Sequence, residues 1–449
     1  MVRGSKISAA SFWMFVIALG GQTQVHFFGS IGISELPIYL LAPIIFIKDF
    51  QALKRDGFLP WIWLSILTCA GCVVSSLVNG IPFIFMLKGL ATPYSIFAVS
   101  IVFHRLIRQD FMSYKWFLVG FFLSGIICTF VFQPESYIVS GGGIAQGEEA
   151  FERMITHPLY WTSRISVLLR LPVCGWYMSM PRFVSCLFVM SAGIVAILYS
   201  RTSGRGSFGI AVAITGLIIL GGKSKRTLRM LGNNLWIFSL CGLLAIAGIR
   251  IAYKYAALSG FLGEDARVKY YKQTANGESM IRILLSGRKE FFIAMTAAVD
   301  KPILGHGPKA EDTKGYVNDF LFKYGDAEDY YGYLKDVESN LRKGIGYYII
   351  PTHSYLGAFW VHYGIVGLIL WLYVLWIIWR YFRFYAAVVP QWFGFLSVTF
   401  MGMLWAIFFS PYGDRFSPVL SIVCALFAKA VYERRFELPV QLEAGFRGA

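Results

Sequence analysis

The chain has 449 residues, of which 57% are apolar, 17% aromatic and only 15% charged. With a mean hydropathy of +0.59, that composition excludes a water-soluble globule of this size and points to a polytopic membrane protein in a lipid bilayer. The formal net charge of +16 would suggest nucleic acid in a soluble protein, but here the basic residues gather at the ends of apolar runs as a topology signal, and no nucleic-acid partner is expected.

In chain order, apolar runs come first near 9 to 28, 32 to 47, 58 to 79, 82 to 103 and 116 to 133. Most approach the roughly 20 residues that a helix needs to cross about 30 Å of hydrocarbon. Their continuity argues against the alternating strands of a barrel. The first run contains Gln22, Gln24 and His26 and lacks a clear small-residue cleavage site, so it reads as a retained helix. Cys69 and Cys72 form C-x-x-C one turn apart on the third run. Like the other five cysteines they lie in or beside apolar sequence, which implies packing rather than a redox pair or disulfide framework.

Runs near 162 to 180, 183 to 200, 207 to 222 and 233 to 252 follow, then three more near 355 to 379, 388 to 410 and 415 to 432. The predicted fold class is therefore all-α, with about twelve transmembrane helices. The run at 162 to 180 carries Arg164 and Arg170, and the positive-inside rule decides for it. With twelve spans and a cytoplasmic N-terminus, Lys48, Lys54, Arg55, Arg105, Arg108, Lys115, Arg182, "KSKRTLR" (223 to 229), "RYFR" (380 to 383), Arg434 and Arg435 share the cytoplasmic side. Dropping that span would put "KSKRTLR" and "RYFR" outside. Both termini are thus expected in the cytoplasm.

The opposite face has two sizeable loops, near 134 to 161 and 253 to 352. In the second, "ESMIRILLSGRKEFFIAMTAAVD" (278 to 300) has apolar residues at helical spacing and stops at "KPILGHGP", where Pro302 and the glycines end a helix. It reads as an amphipathic helix at the membrane surface.

Chemistry on that face rests on Arg205, Arg288, His306, His353 and Asp414, with Lys88, Arg164, Arg170 and Arg201 behind them. Arg205 sits in "SGRGSFG", where flanking glycines let an anion approach the backbone, although a lone arginine there also reads as a snorkelling interface residue. Arg288 follows Ser286 and Gly287 on the amphipathic helix. His353, in "PTHSYLGAFWVHYGIVGLILW" (351 to 371), is the obvious proton acceptor, set against a structural histidine beside an apolar run. His306 in "GHGP" fits turn chemistry as well as a supporting role, and Asp414 fits helix capping or orientation of His353. No metal site and no cofactor are expected: the histidines lack ligand spacing, H-E-x-x-H and G-x-S-x-G are missing, and "GLIILGGKS" is one residue out of register for a phosphate-binding loop.

An arginine in "SGRGS", a second in "SGRKEFFIAMTAAVDKPILGHGP" and then "HSYLGAFWVHYGIVGLILW" occur in that order. Together they resemble the bacterial O-antigen ligase and polymerase superfamily, over about residues 195 to 432. Two departures stand out: Phe291 and Phe292 replace the usual tryptophan, and an acidic, tyrosine-rich insertion (310 to 348) precedes His353.

The resemblance implies a GT-C-type membrane glycosyltransferase of the bacterial inner membrane with a periplasmic active site. Residues 1–195 would be N-terminal transmembrane helices, 196–432 the catalytic region including periplasmic loop 253–352, and 433–449 a cytoplasmic tail. The enzyme would move a glycan from undecaprenyl pyrophosphate to an acceptor hydroxyl without a metal. Arg205 and Arg288 would bind the pyrophosphate, with Lys88, Arg164 and Arg170 as secondary contacts. His353 would receive or position the acceptor proton, and Asp414 matches an acidic residue before the last helix. The acceptor would be lipid A-core for a ligase or a second carrier-linked glycan for a polymerase. A polysaccharide flippase is the alternative from another class. It would place ionisable residues near the bilayer midplane and show internal repeats, whereas these residues border one rim.

Overall fold

The computed structural model describes residues 7–21, 24–26, 30–111, 113–130, 289–324, 349–388 and 418–431, with scattered residues at 254–271, 334–338 and 400–416. The runs expected near 162 to 180, 183 to 200, 207 to 222 and 233 to 252, the loop at 134 to 161 and most of 388 to 410 lie outside the described residues. The regular elements described are helices and one short hairpin: α1 (Ala9–Gly21), β1 (Gln24–His26), β2 (Ser30–Gly32), α2 (Glu35–Arg55), α3 (Leu59–Val78), α4 (Phe83–Gln109) and α5 (Ser113–Phe130). After the gap come α6 (Lys289–Asp300), α7 (Tyr316–Tyr324), α8 (Tyr355–Tyr363), α9 (Ile365–Val388) and α10 (Pro418–Val431).

Among the described residues α2, α3 and α4 are long and apolar enough to cross a membrane. Their solvent pattern is inside-out. On α2, Leu40 and Ile47 are each 76% exposed while Ile38 and Ala42 are buried, as suits a helix whose outer face meets lipid. Hydroxyls point inward instead and return to their own helix: Ser65 to the Trp61 carbonyl at 2.9 Å, Thr68 to Leu64 at 2.7 Å, Ser76 to Cys72 at 2.7 Å and Ser100 to Ile96 at 2.6 Å. Each of these four hydroxyls is thereby satisfied without water. Between helices, the Trp61 indole donates to Ser100 Oγ at 2.7 Å, and the Tyr94 hydroxyl to the Tyr39 carbonyl at 2.7 Å. Small residues let backbones close: at Gly120 of α5 a Cβ would stand 2.5 Å from the Phe15 carbonyl of α1.

Three expected spans change shape. The first ends at Gly21, and the polar stretch after it forms the antiparallel pair β1–β2, with Gln24 opposite Gly32 and His26 opposite Ser30. The second runs on to Arg55, so Lys48, Lys54 and Arg55 are helical rather than in a loop. At that end Arg105 of α4 meets Asp49 at 3.4 Å, and the buried Asp56 carboxylate contacts His104 at 2.9 Å and Arg108 at 3.8 Å, so much of the basic sequence of this region is gathered at one end of the bundle.

The third change concerns the apolar run at 355 to 379. It does not continue as one rod: the chain reverses at Gly364, whose φ of +67° and ψ of −151° suit only glycine. α8 folds back along α9, with the Phe359 ring 5.3 Å and the Tyr355 ring 4.8 Å from the Trp371 ring. The apolar helix α9 therefore begins at Ile365.

Candidate functional site

The segment "KPILGHGP" ties together the described residues beyond the ends of α3 and α8. It is clamped between the α3–α4 turn and the α8–α9 reversal. From the turn side, Asn79 Nδ2 donates to the Gly305 carbonyl at 3.0 Å, and Lys301 Nζ donates to Asn79 Oδ1 at 2.6 Å. From the reversal side, His306 N donates to the Val361 carbonyl at 2.6 Å, Ile365 N to the Ile303 carbonyl at 3.1 Å, and the Trp360 indole to the Pro302 carbonyl at 3.0 Å. Glycines make the closeness possible. Gly305 has φ +72° and a Cβ there would lie 2.6 Å from the Val361 carbonyl, while at Gly89 of α4 it would strike Pro308.

His306 lies inside this clamp. It is buried, and its Nε2 is 2.8 Å from the Ala297 carbonyl, so Nε2 carries the proton and donates. Burial lowers its pKa; the Ala297 carbonyl opposes that shift and Lys301 adds to it. The result is a neutral, fixed imidazole with its ring edge-on to Tyr316 at 5.7 Å. Nearby, Lys314 Nζ reaches Asp300 Oδ2 at 2.7 Å and the Tyr316 hydroxyl donates to the same oxygen at 2.7 Å. The bond to Lys314 holds the Asp300 carboxyl below its ordinary pKa, and burial, followed by Asp300, raises the Tyr316 phenol.

His353 is exposed and sits at the other end of α8. Ser354 after it caps the helix, its Oγ accepting from Gly357 N at 2.8 Å. α8 packs on α6 through Gly357, where a Cβ would lie 3.1 Å from Ala294 Cβ, and further along through Trp360 against Pro302. Both contacts advance in the same chain direction, so the two helices run parallel.

Of the residues named from sequence, the structure describes Lys88, His306 and His353; Arg164, Arg170, Arg201, Arg205, Arg288 and Asp414 lie outside the described residues. Those three do not form one cluster. Lys88 and His306 belong to the clamp at the C-terminal end of α8, where the Tyr363 hydroxyl donates to the Gly89 carbonyl at 2.9 Å. His353 is a helix length away, about 13 Å for nine residues at 1.5 Å each. It also adjoins the short helix α8 rather than the apolar helix α9, which begins only at Ile365.

Sequence reasoning passed over Asn79, Lys301 and Lys309. Asn79–Gly80 is a turn pair whose meaning was visible, but its partners are more than 200 residues away. Lys309 follows Pro308 directly and differs in sequence from no ordinary loop lysine. Compared with known proteins, the chain matches no family model and no curated protein.

Proposed function

We propose that the protein is a membrane glycosyltransferase that moves a glycan from undecaprenyl pyrophosphate to an acceptor hydroxyl at the periplasmic face. The observation that carries this reading is the parallel packing of α6 on α8. In the sequence Arg288 directly precedes Lys289, where α6 begins, and His353 stands exposed just before α8, the helix that packs on α6.

In this reading Arg205 and Arg288 hold the pyrophosphate, with Arg164 and Arg170 in support. As the anomeric C–O bond to the carrier breaks, negative charge grows on the pyrophosphate oxygen, and guanidiniums stabilise it bidentately. The acceptor oxygen forms the new bond to the anomeric carbon and its proton passes to His353. Such a base contributes roughly 10² to 10⁴ in rate. Asp414 would orient His353. The leaving group departs as carrier pyrophosphate.

The test is surface-glycan analysis in a deletion strain complemented with Arg288→Ala or His353→Ala at normal expression. Loss of the glycan with both supports the roles; full glycan with both removes them. Accumulated long carrier-linked chains indicate a ligase, and single-repeat chains a polymerase.

A further inference from the structure

Two lysines far apart in the chain meet one aromatic ring. Lys88 Nζ lies 5.9 Å and Lys309 Nζ 6.0 Å from the centroid of Phe85, near the start of α4. Among the described residues neither amine has a carboxylate partner, for Asp300 is taken by Lys314 and Asp56 and Asp49 lie at the opposite end of α4. Both lysines are exposed, as is the neighbouring Glu311.

Two ammonium groups, each about 6 Å from one ring, repel one another unless an anion neutralises them or the backbone enforces their placement. Here the backbone enforces it on the Lys309 side. Lys309 has a φ of +54°, the single positive φ of a non-glycine residue among those described. Its neighbours leave it no choice: Pro308 packs on Gly89, and the Ala310 carbonyl accepts from Ile350 N at 3.1 Å. The left-handed backbone at Lys309 is thus set by the fold, and it carries an amine with no carboxylate partner among the described residues to the Phe85 ring. On the Lys88 side, a helical side chain leans toward the helix N-terminus, so the amine rises to the rim while its stem lies along apolar surface. That surface continues as Phe83, Ile84 and Leu87, which are 67%, 38% and 43% exposed. Cations above an exposed apolar helix start fit an anionic headgroup above its acyl chain.

We propose that Lys88 and Lys309 form a subsite for the phosphate of a membrane lipid. It lies at the opposite end of α8 from His353, so a lipid held here and a donor held beside His353 occupy separate places. The shared chemistry belongs both to the pyrophosphate of a polyprenyl carrier and to an ordinary anionic phospholipid; the carrier arm alone rests on the function proposed above.

The test uses the full chain in phosphatidylcholine nanodiscs, titrated separately with undecaprenyl pyrophosphate and with phosphatidylglycerol, and binding is read by native mass spectrometry. Wild type is compared with Lys88→Gln/Lys309→Gln and with Lys88→Arg/Lys309→Arg. The Gln pair is expected to bind at least one of these lipids roughly tenfold more weakly or worse, while the Arg pair retains binding. The lipid that loses affinity names the source. Unchanged affinity for both lipids in the Gln pair overturns the proposal, and so does an equal loss in the charge-keeping Arg pair. Binding is read without glycan transfer, so failure here and failure of the transferase reading remain distinguishable.

Discussion

The Asn79 side-chain amide donates to the Gly305 carbonyl oxygen at 3.0 Å, across 226 residues of chain, and so ties the α3–α4 turn to the loop after α6. Its own oxygen accepts from Lys301 Nζ at 2.6 Å. Asn79→Ala removes both ties and is expected to cost about 1–2 kcal/mol, read as a lower Tm of the solubilised protein. Asn79→Asp keeps an acceptor for Lys301 but loses the donor to Gly305, and should fall between. Equal Tm values for all three proteins would dissolve the clamp as an energetic element.

Gly364 and Gly80 separate backbone strain from steric conflict. Both have positive φ, +67° and +64°. A Cβ at Gly80 meets nothing within 4 Å, whereas at Gly364 it runs into the Ile303 carbonyl. Gly80→Ala should cost about 1–2 kcal/mol, and Gly364→Ala more than about 4 kcal/mol, visible as poor recovery of folded protein. Comparable behaviour of the two variants would refute the reversal at Gly364.

His306 gives the fold a pH dependence of defined sign. Burial lowers its pKa from 6.5 in the folded protein, so the unfolded chain binds its proton first. Stability is then fully present above 6.5 and falls as the pH drops below it toward the folded value. The charged groups around the ring are Asp300, Lys301 and Lys314. Chemical denaturation from about pH 7.5 to about pH 5.5 should show wild type losing stability more steeply than His306→Gln, whose amide can still donate to Ala297. Parallel slopes would assign the pH response elsewhere.

Ser354 acts on His353 through the helix start. Removing the cap with Ser354→Ala should cost about 1 kcal/mol and loosen the residue before it, while Ser354→Asp preserves an acceptor for Gly357 N. In the glycan assay, Ser354→Asp is expected to outperform Ser354→Ala at matched expression. The reverse order would detach the cap from the role proposed for His353.

Much of the helical framework was legible along the chain. Continuous apolar runs located α2, α3 and α4, because a helix in lipid satisfies its backbone internally and needs only length and hydrophobicity. "KPILGHGP" was legible as the stop after α6, since Pro302 and the glycines end a helix locally. The run at 355 to 379 misled for the same reason: hydropathy averages over Gly364 and cannot register a reversal that depends on its positive φ.

The sequence by itself thus determined the membrane-like helical character, the basic ends and the helix before "KPILGHGP", all properties of neighbouring residues. Only the tertiary structure decided that this segment bonds to Asn79 and Val361, that α8 parallels α6, and that Lys309 joins Lys88 at Phe85. Those relations join segments separated by long stretches of chain. They are fixed by where glycines permit backbones to touch, a pairwise condition that no local periodicity contains.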